Sequence, residues 1–398
     1  MTMKQTQTKM FDFADVGLDF CSGSKNLFPD RFKKMLSFGY NEQTVASVSV
    51  SGNQVTLNYG VTHGYTADRV LKVNSGALTA INGGEFWIDV VTANSVTLTI
   101  DNAPTSITGG FTTKIAPLGW QLVYEQANIQ VYKLKQLDGS DIFLRLCFQN
   151  NAAYRNRVSP CVGRSFNPST GEITDEASLA ETKNIANPST FAWEFSLAAN
   201  SAYDNHTYTQ GYNIFGRALV VGSKYHFVAL CSTWIGSTAR VNALIPYQSL
   251  DYSVIKLPLF LGESTTPTGN GQSNQIANLK LYAGKFETKI QASSTTQFAP
   301  TYAATQSFLP TSIDEFNTTT ASPVMIYEKN SGQFLGITTG FYYTHYGTST
   351  VDVPSSDNKA MPLQTTDVDL SSICFVHCIT SGASNVFFAV PVEEIKIA

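Results

Sequence analysis

Residues 81–100 read INGGEFWIDVVTANSVTLTI. Asn82-Gly83-Gly84 has turn chemistry, because glycine reaches the positive-φ conformations that a tight reversal needs. Glu85 to Val91 then carries aromatic and β-branched residues, Thr92-Ala93-Asn94 is short and polar, and Ser95 to Ile100 alternates polar with apolar. Such alternation sends every second side chain to one face of a strand. Two strands cannot bury that face alone, so the stretch predicts a hairpin inside a larger sheet, with register set by the apolar pattern.

The same pattern extends outward. Val45 to Val50 alternates, Ser51-Gly52-Asn53-Gln54 is a turn, and Val55 to Tyr59 and Val70 to Val73 are strand-like. About five short strands over residues 41–110 predict a small β-barrel, which removes exposed edges by closing on itself. Further strands follow at Trp120–Tyr124, Ile129–Leu134 and Ile142–Phe148, the last two joined by Asp138-Gly139-Ser140, a good hairpin turn. Residues 164–190 are loop-rich, and 262–310 read as a long Ser/Thr/Asn/Gly-rich excursion. Strands resume over 323–398. The fold class is all-β: a small N-terminal β-barrel, then a larger β-sandwich over 111–398 that forms a separate unit.

Residues 1–40 read as an arm. Phe11, Phe13, Leu18 and Phe20 are irregularly spaced, and Phe28 to Leu36 suits a short helix, with Pro29 in its first turn and Phe28, Phe32 and Leu36 on one face. An apolar arm with little core of its own docks either on its own body or on a neighbouring subunit. In the second case Phe11, Phe13, Phe20, Phe28 and Phe32 are assembly contacts, joined by Arg155 and Arg157, which with Arg164 form a small basic cluster suited to a salt-bridging rim.

Composition narrows the function. Charged residues are 14% of the 398-residue chain, against a typical ~25%. That fits either a neutral polar surface or one covered by partners, since contact cores are poor in Lys, Glu and Asp. A net charge of −4 argues against nucleic acid. The N-terminus lacks the apolar region of a signal peptide, and no run approaches the ~18 apolar residues of a membrane span, so folding in a cytoplasm is expected. The 6 Cys are scattered, as buried free thiols would be.

Motifs for chemistry are missing: no nucleophile elbow, no His-Glu-x-x-His, no phosphate-cradling Gly-rich loop. Cys374-Phe-Val-His377-Cys378 is the most metal-like string. On a strand, however, its two sulfurs stand roughly 13 Å apart, and His377 faces the other way. Glu172, Asp175 and Glu176, and separately Asp367 and Asp369, are candidate acid pairs by proximity only. Phe341 to Tyr346 is dense in rings, either a sugar platform or sandwich core. No catalysis, cofactor or metal is expected.

The run His63-Gly64-Tyr65, Val70 to Val73 and Ile81 to Leu98 resembles a small barrel common in tail and baseplate proteins of tailed bacteriophages. That barrel is also similar to a non-catalytic half-domain of ubiquitin-activating enzymes. Leu118-Gly119-Trp120, Val131-Tyr132 and Ile142 to Arg145, then Trp193, Tyr212 to Arg217 and Gly222 to Tyr225, are similar to the sandwich following it in virion structural proteins of contractile-tailed phages. Arg217 departs from that pattern, which has an acidic residue there. The resemblance covers most of 41–230 and only weakly the C-terminal third. It implies an oligomeric structural part of a virion (tail, baseplate or neck), assembled in the host cytoplasm and contacting other virion proteins. A tail protein that binds or depolymerises host-surface polysaccharide is the alternative.

Overall fold

In the computed structural model the described residues are 8–211, 218–232, 239–249, 257–268, 278–290, 321–344, 364–365, 373–381 and 384–392. The chain is 46% strand and 8% helical, in two antiparallel sheets, which makes it an all-β protein.

Strand β1 (Lys9–Asp12) belongs to the larger sheet, where it pairs with a strand two hundred residues away. Turns lead to helix α1 (Phe28–Lys33), which opens with Pro29 in its first turn, where a missing N–H costs nothing. A wide π-type turn, Lys34–Phe38, closes it at Gly39. Phe28, Phe32 and Leu36 do face inward together.

The smaller sheet has seven strands: β2 (Tyr40–Thr44), β3 (Ser47–Ser51), β4 (Gln54–Asn58), β5 (Val70–Asn74), β6 (Glu85–Val91), β7 (Ser95–Thr99) and β8 (Thr112–Ile115), in the order β2-β8-β5-β6-β7-β4-β3. The hairpin read from residues 81–100 is β6–β7, in register Ile88↔Leu98 and Val91↔Val96. A bulge between Ile88 and Val90 sets Asp89 and Val90 outward. Asn82 does more than turn the chain: its Oδ1 accepts from the N–H groups of Ser75 and Gly76, closing the loop that leads into β6. Strands β2 and β8, absent from the sequence reading, extend the module to residues 40–115. The two edge strands, β2 and β3, are consecutive in the chain. Between them Val45 bonds to Phe111 and Gly110 beside β8, while Ala46 donates to Asn58 of β4. Gly109 permits this approach, since a Cβ there would lie 2.5 Å from the Ala46 carbonyl oxygen.

The larger sheet begins as a meander of β9 (Gln121–Gln126), β10 (Ile129–Lys135), β11 (Asp141–Phe148), β12 (Arg157–Gly163) and β13 (Phe191–Glu194). The β10–β11 hairpin turns at Asp138-Gly139-Ser140 as expected. β14 (Ala218–Gly222), β15 (Phe227–Ser232), β16 (Ala239–Ile245), β17 (Tyr247–Ser249), β18 (Leu259–Ser264), β19 (Leu279–Ala283) and β20 (Phe286–Lys289) follow. They lead to β21 (Ala321–Glu328), β22 (Phe334–Thr344), β23 (Gln364–Thr365), β24 (Ile373–Ser381) and β25 (Ser384–Pro391). Within the expected excursion 262–310, the described part from Leu279 to Lys289 is a hairpin laid on β18. Residues 269–277 and 291–310 lie outside the described residues.

β18 is a fork. One edge carries β19 throughout, while the other pairs with β16 at Leu259–Leu261 and with β13 at Glu263 and Ser264. The two sheets share one apolar core: arm residues Phe13 and Phe32, module residues Val55, Ile88 and Leu98, and body residues Leu144, Trp193 and Phe227 form one contiguous cluster. The module is thus separate in its hydrogen-bond ladder while it shares this core with the body. Alternation could not reveal this, because it tells which face is buried and not against what.

Candidate functional site

The five arm phenylalanines are fully buried in the chain's own core, each at 0% exposure, so the structure places them in the body rather than on a docking surface. Phe13 stacks on Phe20, with ring centroids 3.8 Å apart. Phe28 meets Phe20 and Phe195 edge to face at 5.2 and 4.9 Å. Phe32 reaches Phe148 at 5.4 Å and Phe227 at 5.7 Å, while Phe11 meets Tyr40 edge-on at 6.1 Å. Burying one such ring is worth ~1.5–3 kcal/mol, with roughly another 0.5–1.5 kcal/mol from each well-set ring pair.

Arg155 and Arg157 are not a solvent rim either: they are 1% and 0% exposed. Arg155 grips Glu194 with two nitrogens, Nε at 3.2 Å and Nη2 at 2.9 Å. Arg157 Nε lies 3.1 Å from the same carboxylate, and its Nη2 donates to the carbonyls of Thr190 and Thr265 at 2.8 and 3.1 Å. Beside them Arg240 pairs with Glu263. This cluster sits where β13 and β16 part from β18. Guanidinium groups can be buried only with charged and carbonyl partners around them. The partners of Arg155 and Arg157 come from positions 33 to 113 residues away, which spacing along the chain does not disclose. Burial pushes Arg240 down to about 10, so it remains a cation at neutral pH, and burial also lowers Arg157. Arg164 differs, its side chain half exposed and bidentate on Asp175 at 2.8 and 3.1 Å.

Two further buried pairs join the module to the body. Arg69 donates twice to Asp15, both contacts 2.8 Å, and the Tyr40 hydroxyl donates to the same carboxylate at 2.7 Å. Lys9 of β1 lies 2.6 Å from Glu85 of β6, with Lys72 3.5 Å away on the other oxygen. Burial lowers the Lys9 pKa, which Glu85 partly restores, and burial drives Tyr40 well up. Sequence reasoning missed all of these residues. The one available signal was a charge inside an apolar strand, as with Glu194 in Phe-Ala-Trp-Glu-Phe.

The remaining candidates are placed as follows. Asp175 is held well below the usual carboxylate range, first by its bond from Arg164, so it carries no proton to donate at neutral pH. Asp367 and Asp369 lie outside the described residues. Cys21, Cys147, Cys161 and Cys231 are buried free thiols, with burial pushing Cys147 up to about 11 and Cys161 up to about 12. The side chains of Cys374, His377 and Cys378 lie outside the described residues, as do those of Tyr343 to Tyr346. Phe341 is core, stacked on Phe388 at 4.8 Å. Among the described residues, no three His, Cys, Asp or Glu side chains gather as metal ligands, and no helix is long and apolar enough to cross a membrane. No protein-family model matches the chain, and no curated protein is significantly similar to it.

Proposed function

We propose that this chain is a structural subunit of a bacteriophage virion, in the tail, baseplate or neck, and that it acts through protein–protein contacts rather than catalysis. The observation that carries this reading is the use made of its buried charges. Asp15–Arg69, Lys9–Glu85 and Glu194 with Arg155 and Arg157 each tie one segment of the chain to a distant one. A catalytic centre would instead aim perturbed acids and bases into an open cleft. The consecutive edge strands β2 and β3 support the finer reading of the module as a small barrel, and the broad antiparallel network supports a sandwich-like body.

The contact surface belongs on the arm and module. Among the described residues, five of the six exposed large apolar side chains are Val16, Phe38, Val61, Leu78 and Val90, all within that part of the chain. Neighbouring virion subunits, including further copies of this chain, are the partners the reading implies. Mass spectrometry of purified virions tests it. The protein is expected at a copy number fixed relative to the other structural components, and its absence from intact particles would sink the proposal.

A further inference from the structure

The segment between β4 and β5 is held by one imidazole. The backbone N–H of Tyr65 donates to His63 Nδ1 at 2.9 Å, which requires that nitrogen to be unprotonated. The proton therefore sits on Nε2, which faces the Ser95 carbonyl at 3.3 Å. The ring packs against those of Tyr59 and Tyr65, at 4.8 and 5.1 Å, and the two tyrosines meet each other at 5.4 Å. Through it three separate pieces meet. His63 N–H donates to Ala93 of the β6–β7 turn, the His63 carbonyl accepts from Asn41 of β2 at 2.9 Å, and Tyr65 Oη donates to the carbonyls of Asn41 and Thr113, each at 2.8 Å.

Among the described residues, no carboxylate pairs with this imidazole. The turn 92–95 carries no ionisable side chain, and β4 carries none. The charged residues of the neighbouring elements are Glu42 on β2, Glu85 and Asp89 on β6, Lys114 on β8, Asp15 and Asp19 on the arm turn whose Val16 packs against Gly64, and Asp68 and Arg69 at the end of the segment itself. Arg69 is committed to Asp15, and the influences on His63 are burial and the backbone of Ser95 and Thr92.

We propose that His63 is an acid-released latch: a second proton, taken up at Nδ1, removes the acceptor for the Tyr65 N–H, and the segment 60–66 then leaves the 92–95 turn and β2. Release uncovers Tyr59 and Tyr65 beside Val61, which is already 61% exposed, and so enlarges an apolar patch. The inference does not depend on the assembly reading above.

Burial lowers the pKa of His63 in the closed segment, so the opened one binds the proton better below the ordinary imidazole pKa. With the ordinary value of ~6.5 in the opened segment, the opening constant should rise between pH 7.5 and pH 5, by a factor of at most about 30. Amide hydrogen exchange on the full chain at those two pH values, corrected for the intrinsic rate, reads this directly. Peptides spanning 59–67 should lose protection several-fold within that ceiling, while peptides from β10 and β11 keep theirs. In His63→Asn the side-chain oxygen still accepts an N–H two residues on but cannot titrate in this range, so the same peptides should stay flat. Unchanged protection of 59–67 in the unmodified protein, an equal change throughout the body, or an equal change in His63→Asn would each overturn the latch. Should that variant fail to fold, the unmodified protein alone decides.

Discussion

The side-chain amide of Asn242 satisfies both backbone polar groups of Glu194: Nδ2 donates to the Glu194 carbonyl at 2.9 Å, and Oδ1 accepts the Glu194 N–H at 3.1 Å. Asn242 stands on β16 and Glu194 ends β13, the two strands that separate at β18. The amide therefore stands in for the ladder bonds that the fork removes. Asn242→Ala leaves two buried backbone groups unpaired, at ~1–3 kcal/mol each. Urea unfolding should show a loss of about 2–6 kcal/mol, and Asn242→Asp should do no better, since it buries a second carboxylate beside Glu194. A loss under about 0.5 kcal/mol, the range of a bland surface change, would sink the account.

The Asp15–Arg69 pair should behave as a buried ion pair. Arg69→Met alone strands a carboxylate and should cost about 3–5 kcal/mol, while Asp15→Asn with Arg69→Met should recover part of that loss. A double-mutant cycle on chemical denaturation measures the coupling. Additive single losses would show that Tyr40, and not Arg69, is what Asp15 needs.

Core and surface rings of the arm should separate cleanly. Phe32→Ala empties a site at 0% exposure and should cost about 3–5 kcal/mol. Phe38→Ser changes a ring that is 52% exposed and should stay within about 0.5 kcal/mol. Removing residues 1–38 takes away β1 and five core rings, so the truncated chain should fail to fold rather than fold and fail to assemble. Circular dichroism and thermal melts of the three variants check this.

His226 is 1% exposed, and burial pushes its pKa down to about 3. Its folded pKa lies below the unfolded one, so the neutral form stabilises the fold. That stability is complete above the ordinary imidazole pKa and is lost as pH falls from there towards 3, at no more than about 1.4 kcal/mol per pH unit. Unfolding free energies of the unmodified protein and of a folded His226→Gln variant at pH 7, 6 and 5 test it. The variant should show the shallower slope.

Period-2 alternation and Gly-containing turns made the β6–β7 and β10–β11 hairpins readable before any coordinates, because strand and turn chemistry are local. The Phe28, Phe32 and Leu36 face was readable for the same reason. Strands β2 and β8 were not, since Tyr40–Thr44 and Thr112–Ile115 are polar and mixed, and their pairing is set by neighbours in the sheet. The fate of the arm was equally hidden. Its rings looked ready to dock, and what they dock on, Phe148, Phe195 and Phe227, lies more than a hundred residues away. Arg155 and Arg157 looked like a surface cluster because like charges close in sequence ordinarily repel into solvent. Only the arrival of Glu194 through the fold makes their burial affordable.

Tyr40 and Ile115, the first and last strand residues of the module, are register partners. The chain therefore leaves the body and returns to it through points about 5 Å apart. A segment with its ends side by side is a cassette in the topological sense: loops within it can lengthen, shorten or be replaced without shifting the register of a single body strand. Variation at Leu78 or Val90 can then remodel the outer face of the protein while β1 and the meander from β9 onward keep their places.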